Sequence, residues 1–314
     1  MSIVERAVDM FEAAPQPPRK AAPASEPFPP ASEIDLIERV IAYEGESGPA
    51  EIPAGTESAP FEQPVTGRSR MVCIDRERLR QQRMLVPDDD RTSIAESFRR
   101  IKRHVLANLS SPKAGVGTNL VMITSSLPGE GKTFCAINLA ISLAMEIDRT
   151  VLLVDADVAK PSVTAALGIR VDGELGLMDV LLDSAIPLSD VICRTDVGTL
   201  SVLPAGARHS RATEVLASRA MRELLHETAE RYPDRVIIFD SPPLLSASEA
   251  SVLATRMGQI VLVVEAGRTT ESTLKEALAR IESSNVVGAL LNKGTAPGAS
   301  LGGYGYGYSY GYGE

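Results

Sequence analysis

The sequence predicts an α/β fold built on a doubly wound, mostly parallel sheet. Six short runs rich in Val, Ile and Leu occur between residues 120 and 291, as expected for parallel strands buried on both faces. Helical stretches separate most of these runs, and this alternation is typical of strand–helix–strand units. The predicted strands are Leu120–Thr124, Val151–Val154, Leu200–Leu203, Val236–Phe239, Ile260–Val264 and Val286–Leu291, and the main predicted helices between them are Lys132–Met145, Ala212–Arg231 and Thr270–Ser283.

Charge and composition exclude several classes of protein. The chain has 314 residues and a formal net charge of −9, which argues against a general nucleic-acid binder because such proteins need a basic surface. Its three cysteines, Cys73, Cys135 and Cys193, lack metal-ligand spacing and fit a reducing compartment. No apolar run approaches the ~20 residues that cross a bilayer, and the N-terminus does not read as a signal peptide. We therefore expect a cytoplasmic protein that binds no nucleic acid.

Three regions are predicted along the chain, covering residues 1–70, 71–298 and 299–314. Eleven of the 21 prolines precede Gly67, so the first region is expected to be mostly disordered, with short amphipathic helices. One of these, Ser32–Tyr43, is either a docking helix or a transient helix in a linker. The second region holds the predicted sheet, and the third is a tail rich in Gly and Tyr.

A strong helix is predicted over Ser93–Leu109, ahead of the first strand. Ser93 and Glu96 are expected to form its capping box, and apolar residues recur at steps of three and four. The opposite face is basic and either meets an acidic partner surface or is simply solvated. Its basic residues are Arg99, Arg100, Lys102 and Arg103.

A glycine-bearing turn follows the first predicted strand and leads directly into a helix. The segment Ser125–Thr133 reads S-S-L-P-G-E-G-K-T, which is the Walker A pattern of strand, turn and Lys-Thr at a helix start. Ser126 replaces the usual first glycine of that pattern. Backbone N–H groups in such a turn bind phosphates, so ATP is the expected ligand. The predicted ATP-binding residues here are Pro128, Gly129, Glu130, Gly131, Lys132, Thr133 and Phe134.

Three aspartates end predicted strands. Asp155 and Asp157 close the second strand, and their alternation places both carboxylates on one side. Two carboxylates at such a short separation repel each other unless a cation lies nearby. Mg²⁺ bound with ATP supplies that cation. Asp157 alone has a simpler alternative, which is to cap the turn. Asp240 ends the strand before S-P-P and matches a Walker B acid that holds Mg²⁺.

The order P-G-E-G-K-T, D-A-D-x-x-K-P and F-D-S-P-P resembles the bacterial tyrosine kinases (BY-kinases) of exopolysaccharide systems. The segments A-E-S-F-R-R-I-K-R and S-I-V-E-R-A-V are similar to the exosortase-associated (PEP-CTERM locus) autokinase branch. The resemblance implies a P-loop NTPase fold of the MinD/ParA-like (SIMIBI) type. It also implies an oligomer contact through Glu96, Arg99 and Lys102, where Lys102 replaces the family's final Arg. Ala159 stands where the family has another Arg.

The C-terminus supplies a candidate substrate. Five of the chain's seven tyrosines alternate with Gly or Ser, and this composition cannot build a core. The resemblance implies that they are autophosphorylated in trans, whereas composition alone also allows a tail that merely associates. These residues are Tyr304, Tyr306, Tyr308, Tyr310 and Tyr312.

The predicted site residues divide by role. Lys132, Asp155 and Asp157 are the predicted catalytic residues: Lys132 neutralises the γ-phosphate and Asp155 aligns the phenol and accepts its proton. Mg²⁺ is expected to be held by Thr133, Asp155 and Asp240, with Asp157 close to the metal and its waters. Asn292, after the last strand, either recognises adenine or ends a strand at a turn.

The resemblance also implies partners, and two other functions remain open. The implied partners are a separate membrane polysaccharide co-polymerase that activates the enzyme, a cognate tyrosine phosphatase and further copies of the chain. The protein is then peripheral to the inner membrane through that partner. One alternative is a partition ATPase resembling MinD and ParA, although Leu127 occupies the position of that group's signature Lys. The other is a non-catalytic ATP-binding adaptor.

Overall fold

The computed structural model describes residues 70–294, apart from 88, 90, 112–114, 116, 171–174, 232–233 and 282–285. The predicted N-terminal disorder, the helix Ser32–Tyr43 and the five tail tyrosines lie outside the described residues. The predicted boundaries of the three regions therefore stay predictions.

The described residues form one eight-stranded sheet, in the order β1-β4-β5-β3-β6-β2-β7-β8. The strands are β1 (Arg70–Val72), β2 (Leu120–Ser125), β3 (Thr150–Asp155), β4 (Cys193–Thr195), β5 (Leu200–Leu203), β6 (Arg235–Asp240), β7 (Gln259–Glu265) and β8 (Val286–Asn292). Neighbouring strands are parallel except for the antiparallel pair β4 and β5. The predicted mostly parallel sheet is confirmed.

Helices cover both faces of the sheet, as a doubly wound fold requires. They are α1 (Arg76–Gln81), α2 (Ser93–Leu109), α3 (Lys132–Ala144), α4 (Val163–Leu167), α5 (Leu177–Leu182), α6 (Leu188–Val191), α7 (Ala212–Ala217), α8 (Arg219–Arg231), α9 (Ser248–Ala254) and α10 (Glu271–Ala279). Alternate residues of each strand enter different cores: Val121 and Ile123 pack with α2 and α3 on one face. Leu120 and Met122 pack with α8 and α9 on the other.

Two short strands were not predicted from the sequence. β1 and β4 have three residues each and pair with one another at one edge of the sheet. Neither is a continuous apolar run, because Arg70 and Met71 in β1 and Arg194 in β4 are exposed. Edge strands buried on one side at most lack the signal that marks the central strands.

Two helix predictions were wrong in detail. The predicted helix Ala212–Arg231 is divided at Ser218, whose extended backbone (φ −67°, ψ 170°) separates α7 from α8. The cap of α2 is Thr92 and not Ser93. The Thr92 side chain accepts a hydrogen bond from the Ala95 N–H at 3.2 Å, and its extended backbone (ψ 151°) leaves Ser93 as the first helical residue.

The sheet order brings the candidate site together. Strands β3, β6 and β2 are neighbours, and their carboxyl ends share one edge. Asp155 is the direct cross-strand partner of Asp240, and Asp240 is in turn paired with Ile123. Ligands of open parallel sheets bind at this edge. Within the described part of the chain, none of the helices combines the length and apolar character needed to span a membrane.

Candidate active site

The segment between β2 and α3 has the backbone of a phosphate-binding loop. Gly129 and Gly131 adopt φ values of 87° and 97°, a left-handed region that favours glycine. A Cβ at Gly131 would collide with the side-chain amide of Asn292. The loop ends at Lys132, the first residue of α3, so the N-terminus of that helix faces the same space. Free N–H groups at a helix N-terminus and in such a loop favour anions.

The Lys132 ammonium lies among carboxylates. Its Nζ is 2.8 Å from Asp157 Oδ2 and 3.6 Å from Asp240 Oδ1. Burial lowers the pKa of Lys132, but the charges of Asp240 and Asp157 outweigh burial and raise the pKa above its ordinary value. Lys132 therefore carries a positive charge at the carboxyl edge of the sheet.

Asp155 and Asp240 are the most deeply placed acids of the site, at 1% and 0% exposure. Asp155 Oδ2 accepts hydrogen bonds from the N–H groups of Ser162 (2.9 Å) and Val163 (3.0 Å). Among the described residues, Asp155 Oδ1 and both carboxylate oxygens of Asp240 have no hydrogen-bond partner. Buried carboxylate oxygens without donors suit an oxygen-seeking divalent cation such as Mg²⁺. The donor set therefore fits the metal that the sequence predicts.

The two buried acids hold their protons more tightly than ordinary aspartates. Burial, followed by the charge of Asp240, raises the pKa of Asp155 to about 7. Burial also raises the pKa of Asp240 to about 6, although Lys132 and Thr133 counteract part of that rise. Perturbed carboxyl groups of this kind concentrate at sites of binding and catalysis.

Asp157 and Thr133 complete the cluster. Asp157 Oδ1 accepts a hydrogen bond from the Lys160 N–H at 3.1 Å, while its Oδ2 pairs with the Lys132 ammonium. Asp157 therefore both caps the turn and orients Lys132. The Thr133 hydroxyl lies 3.0 Å from the Ser162 hydroxyl. Ser162 was missed by sequence reasoning. Its place directly after the K-P of the second motif gave no signal of its own.

Glu130 and Asn292 lie against the loop in a way that the sequence did not indicate. The Glu130 carboxylate is turned inward and accepts hydrogen bonds from the Leu127 N–H and the Thr269 hydroxyl. The Asn292 side-chain N–H donates to the Glu130 carbonyl at 2.8 Å. The roles predicted for these residues toward ATP and adenine stay predictions. Glu130 belongs to the phosphate-binding loop, and Asn292, at the end of β8, is hydrogen-bonded to that loop.

The predicted oligomer residues and Phe134 lie on or against α2. Glu96 and Arg99 form an exposed pair on that helix, 3.4 Å apart. Lys102 is largely buried and pairs with Glu146 of the same chain. Phe134, from α3, packs edge-on against Phe98 with ring centroids 6.3 Å apart. Phe134, which was predicted to bind ATP, is therefore held in the packing between α2 and α3.

Comparison with known proteins decides the family. A family described as an AAA domain matches residues 118–286. Tyrosine-protein kinase YwqD of Bacillus subtilis is 33% identical over 215 residues, which cover 68% of this chain and 86% of YwqD. The chain belongs to the bacterial tyrosine-protein kinases. It is therefore an enzyme of the tyrosine kinase class, and the predicted family is confirmed.

Further comparisons place this kinase relative to longer proteins. The kinase domain of Escherichia coli tyrosine kinase ETK superposes with a TM-score of 0.61 at 28% identity, covering 75% of this chain and 94% of that domain. The succinoglycan biosynthesis transport protein ExoP of Rhizobium meliloti is 36% identical over 215 residues. Those residues cover 67% of the kinase but only 26% of ExoP. The kinase thus matches nearly all of some relatives and a quarter of others.

Proposed function

We propose that this kinase transfers the γ-phosphoryl group of ATP to tyrosines of its own C-terminal tail, in trans, and thereby regulates exopolysaccharide synthesis or export. The carboxylate cluster around Lys132 carries the proposal. The ammonium lies 2.8 Å from Asp157, and buried oxygens of Asp155 and Asp240 accept no hydrogen bond from the described residues. Phosphoryl transfer needs such charges around a triphosphate and its metal.

Each residue of the carboxylate cluster has a separate role in this proposal. Lys132 would bind the β- and γ-phosphates in place of its longer contact with Asp240, while Asp157, at 2.8 Å, keeps the ammonium in position. Thr133, Asp155 and Asp240 would hold Mg²⁺, with Asp157 close to the metal and its waters. Bound Mg²⁺ supplies positive charge to the phosphoryl oxygens as the transition state forms.

Asp155 accepts the proton of the incoming phenol. The phenol oxygen forms a bond to the γ-phosphorus, the bond from that phosphorus to the β–γ bridging oxygen breaks, and ADP leaves. In the metal-free site, burial and then the charge of Asp240 raise the pKa of Asp155 to about 7, so its carboxylate is more basic there than that of an ordinary aspartate.

The tail fits the role of substrate by composition. Tyr304, Tyr306, Tyr308, Tyr310 and Tyr312 alternate with Gly and Ser, and such a chain leaves its phenols accessible to a neighbour's site. The relative ExoP is named a succinoglycan biosynthesis transport protein, which supports a link to polysaccharide. A membrane polysaccharide co-polymerase as activator and a cognate tyrosine phosphatase belong to the same proposal, as does a place at the inner membrane through that partner.

Mixing two variants tests transfer in trans. One chain carries Lys132→Met and an intact tail, and the other is active but carries Phe at all five tail tyrosines. With Mg²⁺ and ATP, we expect phosphotyrosine on the Lys132→Met chain only when the two are mixed. Labelling confined to unmixed wild type, with none in the mixture, would contradict transfer in trans.

The same assay separates the alternative functions. ATP hydrolysis without any phosphotyrosine would favour a partition ATPase, and the absence of both activities would favour an ATP-binding adaptor. Labelling that persists in unmixed Lys132→Met protein would indicate a contaminating kinase.

A further inference from the structure

The side chain of Glu130 points into the protein although the residue lies within the phosphate-binding loop. It is 1% exposed. Its Oε2 accepts a hydrogen bond from the Leu127 N–H at 2.8 Å, and its Oε1 accepts one from the Thr269 hydroxyl. A carboxylate held by two donors in a buried position makes strong, directional hydrogen bonds.

Thr269 is itself fixed to the end of strand β7. Its hydroxyl accepts the Glu265 N–H at 3.0 Å, and its own N–H donates to the Glu265 carbonyl at 3.1 Å. Thr269 is 3% exposed. The Thr269 hydroxyl therefore accepts a hydrogen bond from the Glu265 N–H and donates one to the Glu130 carboxylate. The inward orientation of the Glu130 carboxylate depends on this donated hydrogen bond.

The end of strand β8 holds the same loop from a second side. Asn292 donates to the Glu130 carbonyl at 2.8 Å, and Lys293 Nζ donates to the Gly129 carbonyl at 2.7 Å. Two strand ends thus fix the half of the loop that precedes Gly131. The other half, Lys132 and beyond, belongs to α3, whose first turn is closed by the Cys135 N–H to the Gly131 carbonyl at 2.9 Å.

We propose that Glu130 is a positioning residue for ATP, and that Thr269 is the partner that keeps its carboxylate turned away from the phosphates. We call the contacts of Glu130 with Leu127 and Thr269 the Glu130 clamp. The ligand in this inference rests on the proposed function. The clamp orders the Leu127–Gly129 backbone that cradles phosphate, and it keeps a negative charge out of an anion site, where like charges repel.

Glu130 carries a charge and Thr269 does not, so substitutions at the two residues should affect ATP binding differently. Thr269→Val removes the hydroxyl and releases the carboxylate, so we expect the dissociation constant of Mg²⁺·ATP to rise by about 10-fold or more, as for loss of a hydrogen bond to a charged group. Glu130→Gln keeps the shape and one acceptor oxygen but removes the charge, so the dissociation constant should rise by less than in Thr269→Val. Adding Glu130→Gln to Thr269→Val should restore much of the lost affinity, a rescue that a merely structural threonine would not show.

The experiment uses the full chain and titration calorimetry with Mg²⁺·ATP. Thr228→Val is the matched control, because Thr228 is a buried threonine whose hydroxyl donates only to carbonyls of its own helix α8. Thr269→Ser keeps the hydroxyl and should bind ATP as wild type does. In steady-state assays, Thr269→Val should raise KM for ATP with kcat within about 3-fold, since Lys132 and Thr133 stay fixed by α3.

A second measurement needs no nucleotide. The Leu127 amide should be protected from hydrogen exchange in the wild type and in Thr269→Ser, and should exchange at least about 10-fold faster in Thr269→Val. Equal Leu127 exchange in all variants would overturn the clamp. So would ATP affinity in Thr269→Val that matches Thr228→Val, or a kcat loss at unchanged KM. If the wild type binds no ATP, the proposed function fails while the exchange measurement still decides the clamp.

Discussion

Asp155 and Asp240 are direct cross-strand partners at the carboxyl ends of β3 and β6, so two buried carboxylates meet at one level of the sheet. Lys132 lies within ion-pair distance of Asp240 and Asp157. The fold therefore holds concentrated negative charge next to one ammonium. Such an arrangement costs stability in the protein alone and favours a cation in the site, a common trade between stability and function.

The first prediction concerns pH. Burial raises the pKa of Asp155 to about 7 and that of Asp240 to about 6, against about 4 in an unfolded chain. Between pH ~4 and ~7 the folded protein thus binds more protons than the unfolded one, so these two groups make stability fall as pH rises. The free energy of unfolding in urea, without Mg²⁺, measures this.

The control for that prediction is the double variant Asp155→Asn, Asp240→Asn. It cannot titrate at these positions, so its stability should fall less, or rise, across the same window. Identical pH profiles for the wild type and the double variant would contradict the account.

A single substitution at Asp155 should raise stability and remove activity. Asp155→Asn eliminates a buried charge but keeps an oxygen to accept the Ser162 and Val163 N–H groups. We expect a gain of about 1–2 kcal/mol at pH 8 and a loss of about 10²-fold or more in phosphotyrosine formation. Thermal unfolding and a phosphotyrosine assay measure the two effects. Exposed Asp148→Asn is the control, and an active, unstabilised Asp155→Asn protein would refute the assignment.

Removing the ammonium should have the opposite effect on stability. Lys132→Met leaves the carboxylates of Asp157 and Asp240 without their partner, which we expect to cost about 3 kcal/mol at pH 8. Protonation of the acids relieves the repulsion, so the difference from the wild type should shrink toward pH 5. Unfolding curves at both pH values test this, with the exposed Lys275→Met as control. A difference that grows at low pH would be inconsistent with the charge arrangement.

The α2 surface should separate assembly from folding. Glu96 and Arg99 form an exposed pair, whereas Lys102 is largely buried against Glu146. Glu96→Ala with Arg99→Ala should lower the oligomer mass with little change in unfolding, and Lys102→Ala should lower stability by about 1 kcal/mol. Light scattering and thermal unfolding distinguish the two. An unchanged mass in the double variant would exclude this face as the contact.

The tail should control assembly through its charge. Each phosphotyrosine adds roughly −1.5 to −2 charge, so full phosphorylation should dissolve the oligomer by repulsion. Glu at all five tail tyrosines should then give smaller particles than Phe at all five, as measured by light scattering. Equal masses for the two tails would rule out this switch.

The central strands could be predicted because burial on both faces leaves an unbroken apolar run. Leu200–Leu203 was placed at its observed bounds, and Leu120–Thr124 lacks only Ser125. The short strands β1 and β4 could not be found, since three residues with exposed members carry no such run. The break at Ser218 depends on a backbone angle that residue type alone does not specify.

The site was predictable in its residues and not in its contacts. The Walker A pattern indicated Lys132, and the strand-end rule indicated Asp155, Asp157 and Asp240 because parallel strands end at one edge. The inward turn of Glu130 was missed, since its partner Thr269 lies 139 residues away in sequence. Hydrogen bonds between distant loops leave no periodic signal in the chain.

Mass spectrometry of the purified full chain and of its proteolytic peptides, before and after incubation with Mg²⁺ and ATP, tests the central claim most directly. The account predicts one to five added phosphates, all on tail tyrosines and none in Lys132→Met or without Mg²⁺. An unchanged mass under conditions in which the folded protein binds ATP, or phosphate added only outside the tail, would contradict it.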